Sequence, residues 1–97
     1  MKSFQTIVTS SNSPLVIPFN QRGGDVAFGA TPSGGGDYTI EFTMTPLNQN
    51  LTPNYFPITD MTAATTAQQT AIGPATAIRV TLNSGTDVTI DLAQSDV

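Results

Sequence analysis

The 97-residue sequence has no cysteine, no histidine and no tryptophan, and only three basic residues. Without cysteine there is neither a disulfide framework nor a zinc-thiolate site, and nothing about redox compartment can be inferred. Without histidine the commonest general base is missing, so the serines cannot belong to a Ser-His-Asp arrangement. Lys2, Arg22 and Arg79 are scattered along a chain of net charge −4 and isoelectric point near 4.1. Phosphate recognition needs clustered Lys and Arg, so nucleic acid is not an expected partner. No stretch approaches the ~20 apolar residues of a membrane span, and Met1–Thr6 lacks the apolar run of a secretion signal. The expectation is a protein made in a cytoplasm that then joins something larger.

The remaining chemistry is thin. Asp37 and Glu41, like Asp87 and Asp91, are four residues apart on candidate strands, hence roughly 13 Å apart. That exceeds the ~5–9.5 Å that glycosidase carboxylates need. Asp25, Asp37 and Asp60 lie near loops but not in the tight cluster calcium requires, and they read as turn residues. Gly23-Gly24 and Gly34-Gly35-Gly36 lack the Lys-Ser/Thr that follows a phosphate loop and read as flexible turns. Asn50-Leu51-Thr52 is a formal glycosylation acceptor without a secretion signal to use it. The expectation is no enzyme, with no catalytic, cofactor-binding or metal site.

What the chain does contain is β-pattern. Hydrophobic residues make up 38% and charged residues 10%, well below the usual quarter; Thr, Ser, Asn, Gln and Gly fill the difference. A skin of short neutral polar groups suits packing against neighbouring proteins, since few ions must be desolvated. A β-protein that simply favours threonine would look the same. The length fits one domain, 1–97, burying roughly 65% of its unfolded surface.

The strongest pattern is Ala77–Ala93, read as two strands, Ala77–Asn83 and Asp87–Ala93, folded about Ser84-Gly85-Thr86. Ile78, Val80 and Leu82 alternate with polar residues, as do Val88, Ile90 and Leu92. As a hairpin this sets Leu82 opposite Val88, Val80 opposite Ile90 and Ile78 opposite Leu92. On the other face Arg79 meets Asp91, in a pair worth under about 1 kcal/mol; alternatively, Arg79 anchors a neighbouring subunit. The glycine sits one place early for a three-residue turn. Asp37–Thr45 is a second clear strand, with Tyr38, Ile40, Phe42 and Met44 on one face. It reads as a central strand packed on the Ile78–Leu92 face and stopped by Pro46.

Phe4–Thr9 reads as a first strand. Leu15–Ile17, between Pro14 and Pro18, reads as an edge strand, and Asp25–Gly29 as a brief third. Asn20–Gly24 and Ala30–Gly36 read as turn and flexible loop, Leu47–Pro53 as polar loop and Gln94–Val97 as a tail. Tyr55–Ile58 is a short strand or an extended anchor. Asp60–Ala71 is low in complexity, with Asp60 able to cap one helical turn, and reads as a mobile loop. Six to seven short strands with Gly and Pro turns indicate an all-β fold, an antiparallel sandwich or small barrel, foremost a small antiparallel β-sandwich, jelly-roll or Ig-like. Leu51, Tyr55 and Phe56 form an apolar, aromatic cluster, either an interface anchor or a lid over one end of the core. With Leu15, Val16 and Ile17 they are the candidate partner-binding residues.

Asp37-Tyr38-Thr39-Ile40-Glu41-Phe42-Thr43, then Ile72-Gly73-Pro74-Ala75-Thr76-Ala77-Ile78-Arg79-Val80 and the closing β-arm, resemble short structural proteins of tailed bacteriophages. The resemblance spans the latter two-thirds of the chain. It implies a virion component: a head-decoration (cement) protein that stabilises the assembled shell, or a tail, adaptor or fibre-associated module. The implied partners are the phage major capsid protein or other virion proteins. The implied state is a homo-oligomer, a trimer foremost, with no cofactor, nucleic acid or membrane. A carbohydrate- or receptor-binding β-module is the alternative from another class. Sugar sites use exposed aromatic platforms, and here the tyrosines are Tyr38 and Tyr55 alone.

Overall fold

The computed structural model describes residues 2–19, 24–46 and 50–95. Eight strands follow in order: β1 (Lys2–Thr9), β2 (Leu15–Pro18), β3 (Val26–Ser33), β4 (Tyr38–Thr43), β5 (Tyr55–Pro57), β6 (Gln68–Ile72), β7 (Ala77–Leu82) and β8 (Asp87–Gln94). They form two four-stranded sheets, ordered β1-β8-β3-β6 and β2-β7-β4-β5, and every pairing is antiparallel. The first and last strands pair, as do the second and seventh, the third and sixth, and the fourth and fifth. This is a ribbon folded in half at β4–β5 and wrapped into two layers, the double Greek key of a jelly roll. The expected sandwich is present, with eight strands rather than six or seven.

Alternation decides which side chains fill the space between the sheets. Val8, Val26, Phe28, Ala30, Val88, Ile90 and Leu92 come from the first sheet, and Ile17, Tyr38, Ile40, Ile78 and Val80 from the second. Burying each aliphatic or aromatic side chain contributes about 1.5–3 kcal/mol. β4 is the interior strand expected, and β2 lies at an edge.

The terminal hairpin is not formed. β7 belongs to the second sheet and β8 to the first. β7 pairs instead with β4, setting Leu82 beside Tyr38, Val80 beside Ile40 and Ile78 beside Phe42. β8 lies between β1 and β3, with Val88 beside Val8 and Ile90 beside Thr6 and Ala30. The link between β7 and β8 crosses the sandwich at one end, against the β3–β4 link. Asn83 and Ser84 N–H groups donate to the Asp37 carbonyl (2.9 and 3.2 Å), and Thr86 N–H donates to that of Ser33 (3.1 Å). Asp37 Oδ1 accepts from Ser84 Oγ at 2.6 Å. Gly36 packs directly on the Ser84–Gly85 backbone, and Gly85 takes a left-handed φ of 95°. Gly34–Gly36 therefore make a close crossing of two links, where a loose turn was expected.

Two further expectations change. Ala30–Ser33 continues β3 beside β8, with Pro32 placed where β6 has already ended. Residues 60–71 are built in: Met61 is fully buried and Ala64 nearly so. Tyr38 and Ala64 exchange backbone hydrogen bonds (3.0 and 2.8 Å), and Ile40 N–H donates to the Met61 carbonyl (2.8 Å). This segment thus continues the edge of β4 beyond β5. Asp60 caps no helix; it has a left-handed φ of 68° in a turn. Gln94 is a buried β8 residue rather than tail. Most of the Asn20–Gly24 turn and the Leu47–Gln49 part of the polar loop lie outside the described residues.

Candidate interaction surface

The outer face of the second sheet carries one row of side chains across all four strands. Val16 lies beside Arg79, Arg79 beside Glu41, and Glu41 beside Pro57. Arg79 donates from Nη2 (2.8 Å) and Nε (3.2 Å) to the same Glu41 oxygen. Its guanidinium also stacks on the Tyr55 ring, 3.9 Å from the centroid. The expected Arg79–Asp91 pair is absent because the two residues sit on different sheets; Asp91 Oδ1 instead accepts from Gln5 Nε2 at 2.6 Å. Stacking and ion pairing fix the guanidinium plane, and Val16, 41% exposed, extends the patch to the β2 edge.

A second feature lies where the chain turns from β4 into β5. Met44, Leu51 and Phe56 are 57%, 53% and 44% exposed and line one shallow depression with Thr45, Pro46, Thr52 and Asn54. Phe56 packs at a tilt on Phe42, ring centroids 5.6 Å apart, so its inner face is held while its outer face meets solvent. Hydroxyls secure the rim. Thr76 Oγ1 lies within hydrogen-bond reach of the Thr43 and Thr45 carbonyls (3.1 and 2.8 Å). Thr45 Oγ1 accepts from Asn54 N–H at 3.1 Å.

The six candidate residues are thus divided. Leu51 and Phe56 meet at this depression, Tyr55 lies beneath Arg79, and Val16 lies at the opposite edge of the same sheet. Ile17 is buried in the core, and Leu15, packed against the core, is half-buried. Sequence reasoning missed Met44, although the β4 alternation carries it past the strand end, where it is mostly exposed among the described residues. Phe4 and Ile7 on β1, 43% and 49% exposed, were also missed.

The outer face of the first sheet is a broad trough floored by small residues, Ala27, Gly29, Ala71 and Ala93, with Gln5, Gln69 and Asp91 around them. Neither tyrosine offers a free flat platform for a sugar ring: Tyr38 is fully buried and Tyr55 is covered by Arg79. Among the described residues, no three of His, Cys, Asp and Glu gather closely enough to hold a metal ion.

No known protein family matches this sequence, and no curated protein does. Among solved structures, the chain is similar to a protein of Bacillus endospore appendages, a family of disulfide-linked pili. The two are 11% identical with a TM-score of 0.58, and the match covers 99% of this chain and 86% of that one. At that identity the likeness shows the fold alone: two antiparallel sheets packed as a small sandwich.

Proposed function

We propose that the chain is a structural subunit of a virion surface, a head-decoration protein that binds the assembled capsid shell. The observation that carries this reading is the exposed cluster of Met44, Leu51 and Phe56 on a chain with few charges. Large apolar and aromatic side chains held on a rigid rim are the kind of anchor that gains most from being covered by a partner. β5 is the edge strand beside them. Fold alone does not assign a role; the sequence resemblance names the particle, and the cluster supplies the contact.

The test is retention on capsids. Purified protein incubated with heads lacking it is expected to co-sediment in a fixed ratio to the major capsid protein. Replacing Met44, Leu51 and Phe56 together by Ser is expected to abolish retention while the melting temperature stays within a few degrees. Failure of the wild-type chain to bind heads overturns the proposal. A fibre subunit is the second reading, favoured by the pilus-forming structural neighbour. Having no cysteine, this chain would have to assemble without disulfide links, and spontaneous filaments in electron micrographs of the isolated protein would favour that reading.

A further inference from the structure

The sandwich has four strand edges, and they are unequally protected. β2 is preceded by Pro14 and ends in Pro18, β5 has three residues ending in Pro57, and β6 has five. β1 runs eight residues in unbroken one-to-one register, from Lys2 beside Gln94 to Thr9 beside Asp87, with no proline. Its stretch Ser3–Thr9 carries no charge, and it bears the exposed Phe4 and Ile7. A long, uncharged edge rich in β-branched and aromatic residues is a template for another strand.

Asn12 shows which backbone groups face outward. Along a strand, the N–H and C=O of alternate residues point to the same edge. Asn12, beyond the end of β1, donates from Nδ2 to the Ile7 carbonyl (3.2 Å) and accepts the Thr9 N–H at Oδ1 (2.6 Å). Ser3, Gln5, Ile7 and Thr9 therefore point away from β8. Asn12 plugs one end of that edge, leaving open, among the described residues, both groups of Ser3 and Gln5 and the N–H of Ile7.

We propose that β1 pairs antiparallel with β1 of a second copy of this chain, about a two-fold axis through Gln5. In that register the two Gln5 residues exchange a pair of backbone hydrogen bonds. Each Ile7 N–H meets the Ser3 carbonyl of the other copy. Asn12 stays in place in this register, with the Ser3 N–H facing the Ile7 carbonyl it holds and four bonds still made. A register centred on Thr6 keeps only two, the Ile7 carbonyl and both Thr9 groups being held by Asn12. Phe4 then faces Thr6 of the second copy, and no charged side chain of Ser3–Thr9 opposes another, although each chain is acidic. Such an isologous contact closes at two, unlike the trimer implied by the resemblance. It requires no particle, so it stands or falls apart from the capsid reading.

The test is the mass of the isolated protein across a concentration series. The wild-type chain is expected to pass from monomer to dimer. Gln5→Pro removes an outward N–H and no backbone bond to β8, losing there only the side-chain bond to Asp91; it is expected to keep its circular dichroism and remain monomeric at ten-fold higher concentration. Gln5→Lys places like charges on the axis and is expected to weaken the dimer at least ten-fold at low salt, with partial recovery at high salt. In this cysteine-free chain Gln5→Cys is expected to cross-link to itself faster than Thr9→Cys. A wild-type chain monomeric at millimolar concentration overturns the proposal. So does a folded Gln5→Pro that dimerises as the wild type does, or equal cross-linking at the two positions.

Discussion

Gly36 and Gly73 look interchangeable in the sequence, yet their surroundings are opposite. A methyl group on Gly36 would overlap the Ser84 carbonyl, whereas one on Gly73 would meet nothing within 4 Å. Gly36→Ala is expected to cost about 1–3 kcal/mol by overpacking, and Gly73→Ala to lie within about 0.5 kcal/mol of the wild type; urea titration separates them. Tyr38 is the described titratable group whose surroundings clearly shift it. Burial pushes its hydroxyl above the ordinary value of 10, opposed by a backbone hydrogen bond with Gln68; separately, Oη donates to the Thr66 carbonyl at 2.8 Å. The unfolded chain therefore ionises first. The stability gained by keeping Tyr38 neutral is full below about pH 10 and is lost as pH climbs through the raised folded value. Stability above pH 10 is expected to fall more steeply for the wild type than for Tyr38→Phe. At neutral pH that variant is expected to lose about 1 kcal/mol with its hydrogen bond.

Individual strands were legible because a period of two survives whatever the strand pairs with. The partners were not. Ile78 and Val80 turn inward, as do Val88, Ile90 and Leu92, whether β7 and β8 lie side by side or face each other across the core. The misplaced Gly85 was the local sign that this link is no tight hairpin. β6 was invisible because Gln68-Gln69-Thr70 shows no apolar alternation, as an edge strand with half-covered side chains does not need it. Of the candidate contact residues, Leu51 and Phe56 were readable as apolar residues among polar ones. Leu15 and Ile17, two apart, share a face, and in the structure that face is turned toward the core. Met61 fastens the segment that its sequence made look loose. Met61→Ala is expected to cost about 2–5 kcal/mol, measured by chemical denaturation; a change below about 0.5 kcal/mol would mean that the segment contributes little to the fold.

At the level of the whole molecule, the pairing of first strand with last governs how the chain comes together and comes apart. β8 is bonded on both sides, to β1 and to β3, so the first sheet cannot close until β8 is in place. Lys2 and Gln94 sit directly opposite each other, which brings the two ends of the described ladder to one corner. Tension applied through those ends would peel β1 from β8 rung by rung, whereas handles at Ser3 and Thr86 would load every rung together. In an optical trap the first geometry is expected to give way at the lower force. The β1–β8 ladder thus resists load along its length and yields when opened from the Lys2–Gln94 corner.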